Sequence, residues 1–204
     1  ALLERMLPHL EAGNLANGLD MTDEERKLIK ELHLLTMKPF LYVCNKKNGA
    51  FNLDENNDER WQELVQFFET TDSGYVVVDA GVEHELKDLD EEEKTEFRRE
   101  YGAQDSGVDA LIRACYHRLG LMSYFTTGEK ETRAWTIKQG STGPEAGAAI
   151  HTDFKDKYIR AQVVSFEDLI AAGSRAAAKD AGKVRTEGKD YIVQNGDVIE
   201  FMHS

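Results

Sequence analysis

Gly140-Ser141-Thr142-Gly143-Pro144-Glu145-Ala146-Gly147 is the stretch on which the fold turns. At first sight its glycines suit a phosphate-cradling loop, which would make the last third of the chain a nucleotide domain. Such a loop, G-x-x-x-x-G-K-[ST], needs a Lys and a hydroxyl after its last Gly to join the backbone N–H groups around the phosphates. Ala148-Ala149 stand in those places. The stretch therefore reads as a tight turn into a short helix. Its surroundings then read as a strand from Thr132, the turn and helix, a strand over Tyr158–Val164, a helix, and a hairpin across Asn195-Gly196. Residues 132–202 are expected to form a compact α+β unit.

Along Tyr158–Val164 the period-two alternation sends Ile159, Ala161 and Val163 inward and Tyr158, Arg160 and Gln162 outward. Lys155, Lys157 and Arg160 with Tyr158 then make a small basic-aromatic patch, suited to phosphates and to stacking on an unpaired base. Lys183, Arg185 and Lys189 form a second basic cluster. Trp135 and Phe201 read as sheet core rather than stacking platforms.

Working back toward the start, Leu2, Leu3, Met6, Leu7 and Leu10 share one helical stripe, with Pro8 marking a kink or break and Gly13 an end. Thr22-Asp23-Glu24-Glu25 is a capping box for a helix carrying Leu28, Ile29, Leu32 and Leu35. The two helices look like the end of a helical hairpin. Pro39 stops them, and Phe40-Leu41-Tyr42-Val43-Cys44 reads as a buried parallel strand. A polar loop, Asn45-Lys46-Lys47-Asn48-Gly49, leads to a helix over 59–69 with Trp61, Leu64, Val65 and Phe68 inward. Tyr75-Val76-Val77-Val78 is a second strand, ending at Asp79-Ala80-Gly81. Helices follow from Asp90 and from about Val108 to Leu119. Strand–loop–helix repeated twice is half of a doubly wound α/β sheet, in which ligands bind at the carboxyl ends of the strands. The loops 45–49 and 79–83 lie at those ends.

The 204 residues carry a formal net charge of −13, unevenly spread: 14 basic and 26 acidic side chains in 1–122, against 11 and 12 in 123–204. Any polyanionic partner is expected at the C-terminal part. Cys44 and Cys115, each among apolar neighbours, read as reduced, buried thiols rather than a disulfide. No apolar run approaches the ~18 residues of a membrane span. Glu83-His84-Glu85 and His151-Thr152-Asp153 lack a second ligand pair at a recognisable spacing, so no metal site is assigned; His151 and Asp153 are expected to order a turn.

Several ordered motifs resemble the YchF family of Obg-like ATPases. They are Leu35-Thr36-Met37-Lys38-Pro39, the Asn-Lys-x-x loop after the first strand, and Tyr124-Phe125-Thr126-Thr127-Gly128. Arg133-Ala134-Trp135-Thr136, Ile150-His151-Thr152-Asp153-Phe154, Phe166-Glu167-Asp168 and Glu187-Gly188-Lys189-Asp190-Tyr191-Ile192-Val193 extend the match over essentially the whole chain. The resemblance implies a fold of α/β plus α+β type in three parts. Residues 1–38 would be the end of a helical (coiled-coil) domain, 39–122 the C-terminal half of a P-loop nucleotide-binding domain, and 123–204 a TGS domain of β-grasp type. It implies ATP (or GTP) and Mg as ligands of the intact protein, and ribosome or rRNA as partner, in the cytoplasm. Neither a membrane nor a DNA partner is expected. The chain opens on Ala1 in mid-helix, which suggests a fragment, and it is not expected to be active alone; no catalytic residue is assigned.

The resemblance places base contacts at Asn45, Lys46 and Asn48 and at the partner loop Ala80, Gly81 and Val82, where small residues let backbone N–H groups approach a base. A simple helix-start turn is the competing reading of that second loop. GTPases end the first loop in a carboxylate that accepts from both guanine N–H donors, and YchF proteins typically end it in Glu. Asn48 stands there instead. An amide has one acceptor and two donors, which suits the donor–acceptor edge of adenine and cannot clamp guanine. RNA or ribosome contact is placed at Lys155, Lys157, Tyr158, Arg160, Lys183 and Arg185. The rival reading is a stand-alone RNA- or protein-binding adaptor without nucleotide function.

Overall fold

The computed structural model describes residues 1–100, 106–128 and 131–203. It comprises two compact units, Ala1–Leu119 and Gly120–Ser204. The first contains α1 (Leu2–Glu11), α2 (Asp23–Ile29), β1 (Leu41–Asn45), α3 (Glu59–Thr70), β2 (Gly74–Val78), α4 (Ala80–Leu86), α5 (Glu91–Glu100) and α6 (Gly107–Arg118). The Thr22 capping box forms as expected, with Glu25 N donating to Thr22 Oγ1 at 3.2 Å and Thr22 N to Glu25 Oε2 at 3.1 Å. Past Ile29 the helix tightens into a 3₁₀ turn and ends at His33 in the left-handed region (φ 48°). That change of period rotates Leu32 and Leu35 outward; Ile29 is buried, and Leu28, on α2 before the turn, is exposed as well. On α1, which runs on through Pro8, Met6 is buried and Leu3 and Leu7 are not. Met6, Met21 and Ile29 form a small core with Leu2, Leu19, Leu34 and Met37 around it.

β1 and β2 pair in parallel, from Leu41 opposite Gly74 to Asn45 opposite Val78. Residue spacing on α3 lays Phe68, fully buried, between Tyr42 and Tyr75, both with ring centroids 4.9 Å away. Trp61 meets Tyr75 edge-on at 5.6 Å. This aromatic sandwich covers one side of the strand pair, whereas Val43, expected inside, is half exposed. α6 closes against β2 at Gly107: a Cβ there would lie 2.8 Å from Val78 Cγ1, so any larger residue would push helix and strand apart.

The second unit contains β3 (Leu121–Thr127), β4 (Thr132–Lys138), α7 (Gly143–Ala148), α8 (Thr152–Asp156), β5 (Tyr158–Ser165), α9 (Phe166–Ala172), α10 (Arg175–Asp180), β6 (Arg185–Glu187) and β7 (Asp197–His203). Its sheet runs β4-β3-β7-β5-β6; β7 is parallel to β3, and the other pairings are antiparallel. Alternate residues supply opposite faces. Tyr124, Val163 and Ile199 join one core with Ala146 and Ile150, while Val164 and Val198 join another with Phe125, Leu169 and Ala178. The Tyr124 hydroxyl, wholly buried, donates to Ala146 O at 2.8 Å, which satisfies its one polar atom.

The glycine-rich stretch is a turn, as its missing Lys indicates. Thr142 and Glu145 form a capping box at the start of α7, and Pro144 sits in its first turn. Asn195-Gly196 differs from expectation: it is a turn but joins no hairpin. The strand after it pairs with β3 and β5, while the segment before it bonds to the glycine-rich turn through Gly143 N to Tyr191 O (2.9 Å) and Val193 N to Ser141 O (3.0 Å). Asn195 Oδ1 instead accepts from Ser123 N at 3.1 Å, pinning the turn to β3.

Candidate functional site

The two loops singled out in the first unit meet at the carboxyl ends of β1 and β2. Parallel pairing brings Asn45 beside Val78, and Lys46 N continues the ladder to Val78 O at 2.9 Å. Asn45 Oδ1 then accepts from Ala80 N at 3.0 Å, and Asn48 N donates to Asp79 Oδ2 at 2.5 Å. The other Asp79 oxygen accepts from Val82 N at 3.0 Å, capping α4. The second loop is therefore a helix-start turn, and the same turn is bonded to the first loop. Ala80 and Gly81 are exposed beside it, as is Asn48.

Lys46 is held sideways. Its Nζ bonds Glu55 Oε1 at 2.6 Å, and that bond raises the ammonium's pKa and lowers the carboxyl's. Sequence reasoning missed Asn52, which organises this loop from a nearly buried position. Its Oδ1 accepts from Lys47 N at 3.1 Å, and its Nδ2 donates to Lys47 O at 3.0 Å and Glu55 Oε2 at 3.1 Å. The signal available was an Asn after the Gly49-Ala50 turn, a residue type that substitutes its side chain for backbone bonding. Missed too was Asp79 as the acceptor tying the loops together; an acid directly before a helix is the usual signal. Behind the first loop lies a cavity of about 290 Å³, lined among others by Cys44, Asn45, Lys46, Asp54 and Trp61. Burial pushes the Cys44 thiol up, which keeps it neutral. Both cysteines are free and only partly buried. Glu83 accepts from Gly107 N at 2.6 Å, capping α6, and His151 Nδ1 accepts from Asp153 N at 3.2 Å, ordering the turn into α8 as expected.

In the second unit the basic-aromatic patch is only partly assembled. Tyr158 is buried, with 3 % exposure, and its hydroxyl donates to Glu187 O and Gly188 O at 3.4 and 3.3 Å. Ile159, expected inside, is 54 % exposed. The cause is an irregularity in the β5–β7 register between Tyr158 and Arg160: Tyr158 faces His203 while Arg160 faces Met202. One extra residue on β5 inverts the alternation on its N-terminal side. Tyr158 thus offers no face to a base. Lys155, Lys157 and Arg160 are exposed, but Lys157 is paired with Asp153 at 3.2 Å. In the second cluster, Lys183 pairs with Asp168 at 3.1 Å. Arg185 bonds the Tyr191 hydroxyl at 3.0 Å, and that hydroxyl donates to buried Asp197 at 2.7 Å. Trp135, partly buried, donates to Thr126 Oγ1 at 2.9 Å and has Arg133 stacked 4.3 Å above it.

Among the described residues no helix is long and apolar enough to cross a membrane. Residues 121–204 match the family YchF-GTPase_C, described as "Protein of unknown function (DUF933)". The chain is 45 % identical over 200 residues to "Ribosome-binding ATPase YchF" of Bacillus subtilis (strain 168), covering 98 % of this chain and 54 % of that protein. It is 45 % identical over 203 residues to the protein of the same name from Escherichia coli O157:H7, covering 99 % and 54 %. The solved structure titled "Structure of the Schizosaccharomyces pombe YchF GTPase" superposes with a TM-score of 0.81 at 27 % identity, over 98 % of this chain and 53 % of that one. This chain thus spans about half the length of the relatives it matches. Alike in sequence to these relatives and in fold to that structure over nearly all of its length, the chain resembles the C-terminal portion of the YchF family.

Proposed function

We propose that this chain is the C-terminal portion of a cytoplasmic YchF-type nucleotide switch, in which base recognition in the first unit is coupled to ribosome binding by the second. The observation that carries the reading is the bonding of the two loops, Asn45 to Ala80 and Asn48 to Asp79, at the carboxyl ends of adjacent parallel strands. That is where a doubly wound nucleotide domain receives its ligand. Bonded loops present their exposed backbone and the Asn48 amide in one fixed arrangement, so binding a base costs less ordering entropy.

The residues fit the base end of a nucleotide. The phosphates and Mg of ATP or GTP have no G-x-x-x-x-G-K-[ST] in this chain to hold them, and hydrolysis belongs to the intact protein. The loops favour adenine. Asp79 is the one acid among residues 45–48 and 79–82, and both its oxygens already accept backbone N–H groups. No carboxylate of these loops is left for the paired donors of guanine. Titrating the intact protein with ATP and GTP tests this; a clear preference for GTP refutes it.

The second unit's strand order, counted within the unit as second–first–fifth–third–fourth, supports a β-grasp TGS domain. Two relatives bear the name ribosome-binding ATPase, and we place ribosomal RNA contact at the exposed cations Lys155 and Arg160, with Lys157, Lys183 and Arg185 already committed to partners within the unit. Co-sedimentation with ribosomes at graded salt is the test, since a phosphate-driven contact weakens steeply as salt rises. Association that ignores salt points to an apolar protein contact instead.

A further inference from the structure

The first unit carries 12 more acidic than basic side chains, yet it contains a cavity walled by cations. The cavity, about 600 Å³, is lined by residues from the end of α1, the loop after it, α2, the segment before β1, and the ends of α3 and α6. Its charged lining is Arg26, Lys38 and Arg118 against the single carboxylate of Asp72, and the His9 ring beside them bonds Leu15 O through Nε2 at 2.9 Å. Lys38 and Pro39 precede β1, and Thr70, Thr71 and Asp72 precede β2. Because the strands are parallel, this cavity opens at their amino ends, opposite the loops at 45–48 and 79–82.

The state of each polar group decides what the cavity can take. Arg118 is spent on Asp72: its guanidinium donates to Asp72 O and lies 3.4 Å from Asp72 Oδ2, while its buried Nε has no partner. The Asp72 carboxylate is nevertheless nearly fully solvated, and its backbone is left-handed (φ 47°). Thr71 is turned inward to Phe67 O at 2.7 Å. Among the described residues, Arg26 and Lys38 have no ion-pair partner, although Asp23 lies one turn before Arg26 on α2. The side-chain amides of Asn14 and Asn17 have no hydrogen bond there either. Two cations without an ion-pair partner and two side-chain amides without a hydrogen bond, among the described residues, therefore line one concave space.

We infer that this cavity binds a small phosphorylated compound carrying two or more negative charges, at a site separate from the base-reading loops. Arg26 and Lys38 supply the charge-assisted bonds, Asn14 and Asn17 supply neutral donors, and Arg118, anchored by Asp72, forms the cationic floor. A phosphate is preferred over a carboxylate because it offers acceptors in several directions to donors arriving from separate elements. The surrounding excess of acidic groups repels extended polyanions, which favours a compact ligand over a nucleic-acid strand.

The test uses the full chain and inorganic pyrophosphate, followed by isothermal calorimetry and amide chemical shifts. Saturable binding is expected, with shifts at residues 14–18, 26, 37–39 and 70–72 and weakening as ionic strength rises. Arg26→Ala and Lys38→Ala, both at exposed positions, should each weaken it by about tenfold with unchanged melting temperature. Asn48→Ala should leave it intact. Absence of saturable binding in the millimolar range, or indifference to both cation variants, overturns the proposal. So does loss of binding on Asn48→Ala, because the phosphate would then sit at the base loops. Displacement by a short single-stranded RNA that binds more tightly than pyrophosphate and depends on Arg26 and Lys38 also overturns it, since the occupant would then be a nucleic-acid backbone.

Discussion

Replacing Gly143 with Ala should destabilise the second unit through one contact. An added Cβ would stand 2.6 Å from the Tyr158 hydroxyl, 3.0 Å from Cζ and 3.2 Å from Cε2. Tyr158 cannot swing away, because it is buried within the main core beside Ala161 and Val163. Nor can α7 retreat freely, because Gly143 N is bonded to Tyr191 O at 2.9 Å. Overpacking a filled core costs about 1–3 kcal/mol, and for a unit of this size about 2 kcal/mol lowers the melting temperature by roughly 10 °C. The assay is calorimetry on the full chain, following the transition that carries the near-ultraviolet tyrosine signal of the second unit. Tyr158→Phe in the Gly143→Ala background removes the nearest atom and should recover about half of the loss, while Tyr158→Phe alone gives up only two long hydrogen bonds and costs about 0.5–1 kcal/mol. If Gly143→Ala leaves the transition in place, or the double variant is no better than the single, the packing argument for this glycine is wrong.

Three further outcomes follow from the same geometry. Asp79→Ala removes the cap on Val82 N and the tie to Asn48 N together, and should cost the first unit about 1–2 kcal/mol in urea unfolding; in the intact protein it should also weaken nucleotide binding, whereas Asn45→Ala should do so with a smaller stability loss. Burial, followed by the Asp197 carboxylate, raises the Tyr191 phenol above its ordinary value. A raised folded-state pKa gives stability that is complete below tyrosine's usual value of about 10 and lost as pH climbs beyond it, so Tyr191→Phe should flatten the alkaline fall in stability; an unchanged alkaline limb counts against this. Charge reversal of Lys155 and Arg160 together should reduce ribosome association and its salt dependence, whereas Tyr158→Phe should leave both unchanged, since that ring is buried.

Local rules carried far along this chain where the deciding atoms are close in sequence. The Thr22–Glu25 capping box, the parallel strands at Leu41–Asn45 and Gly74–Val78, and the structural reading of Gly140–Gly147 all rest on contacts within a turn or on a short apolar run. They failed where a local irregularity changed the period. The 3₁₀ turn after Ile29 exposed Leu32 and Leu35, and the extra residue at Ile159 exchanged inside for outside. Neither leaves a mark in composition, because each is imposed by what the segment must pack against. The hairpin expected at Asn195-Gly196 failed for a related reason: the dipeptide makes a turn wherever one is needed, but it cannot choose the strand's partner.

From the sequence follow the two-part division of charge, the placement of two loops at the strand ends and the absence of a phosphate loop in this chain, and from its ordered motifs the resemblance to the YchF family. Tertiary structure decided which of those residues are free to act. Asp79 bonded to Asn48, Lys46 drawn to Glu55, Arg185 committed to Tyr191, and Arg26 and Lys38 left without an ion-pair partner among the described residues are all settled across 6 to 31 residues of chain or by the lack of a partner. A side chain's charge is written in the sequence. Whether that charge is already neutralised depends on distances of a few ångströms between segments that only folding brings together.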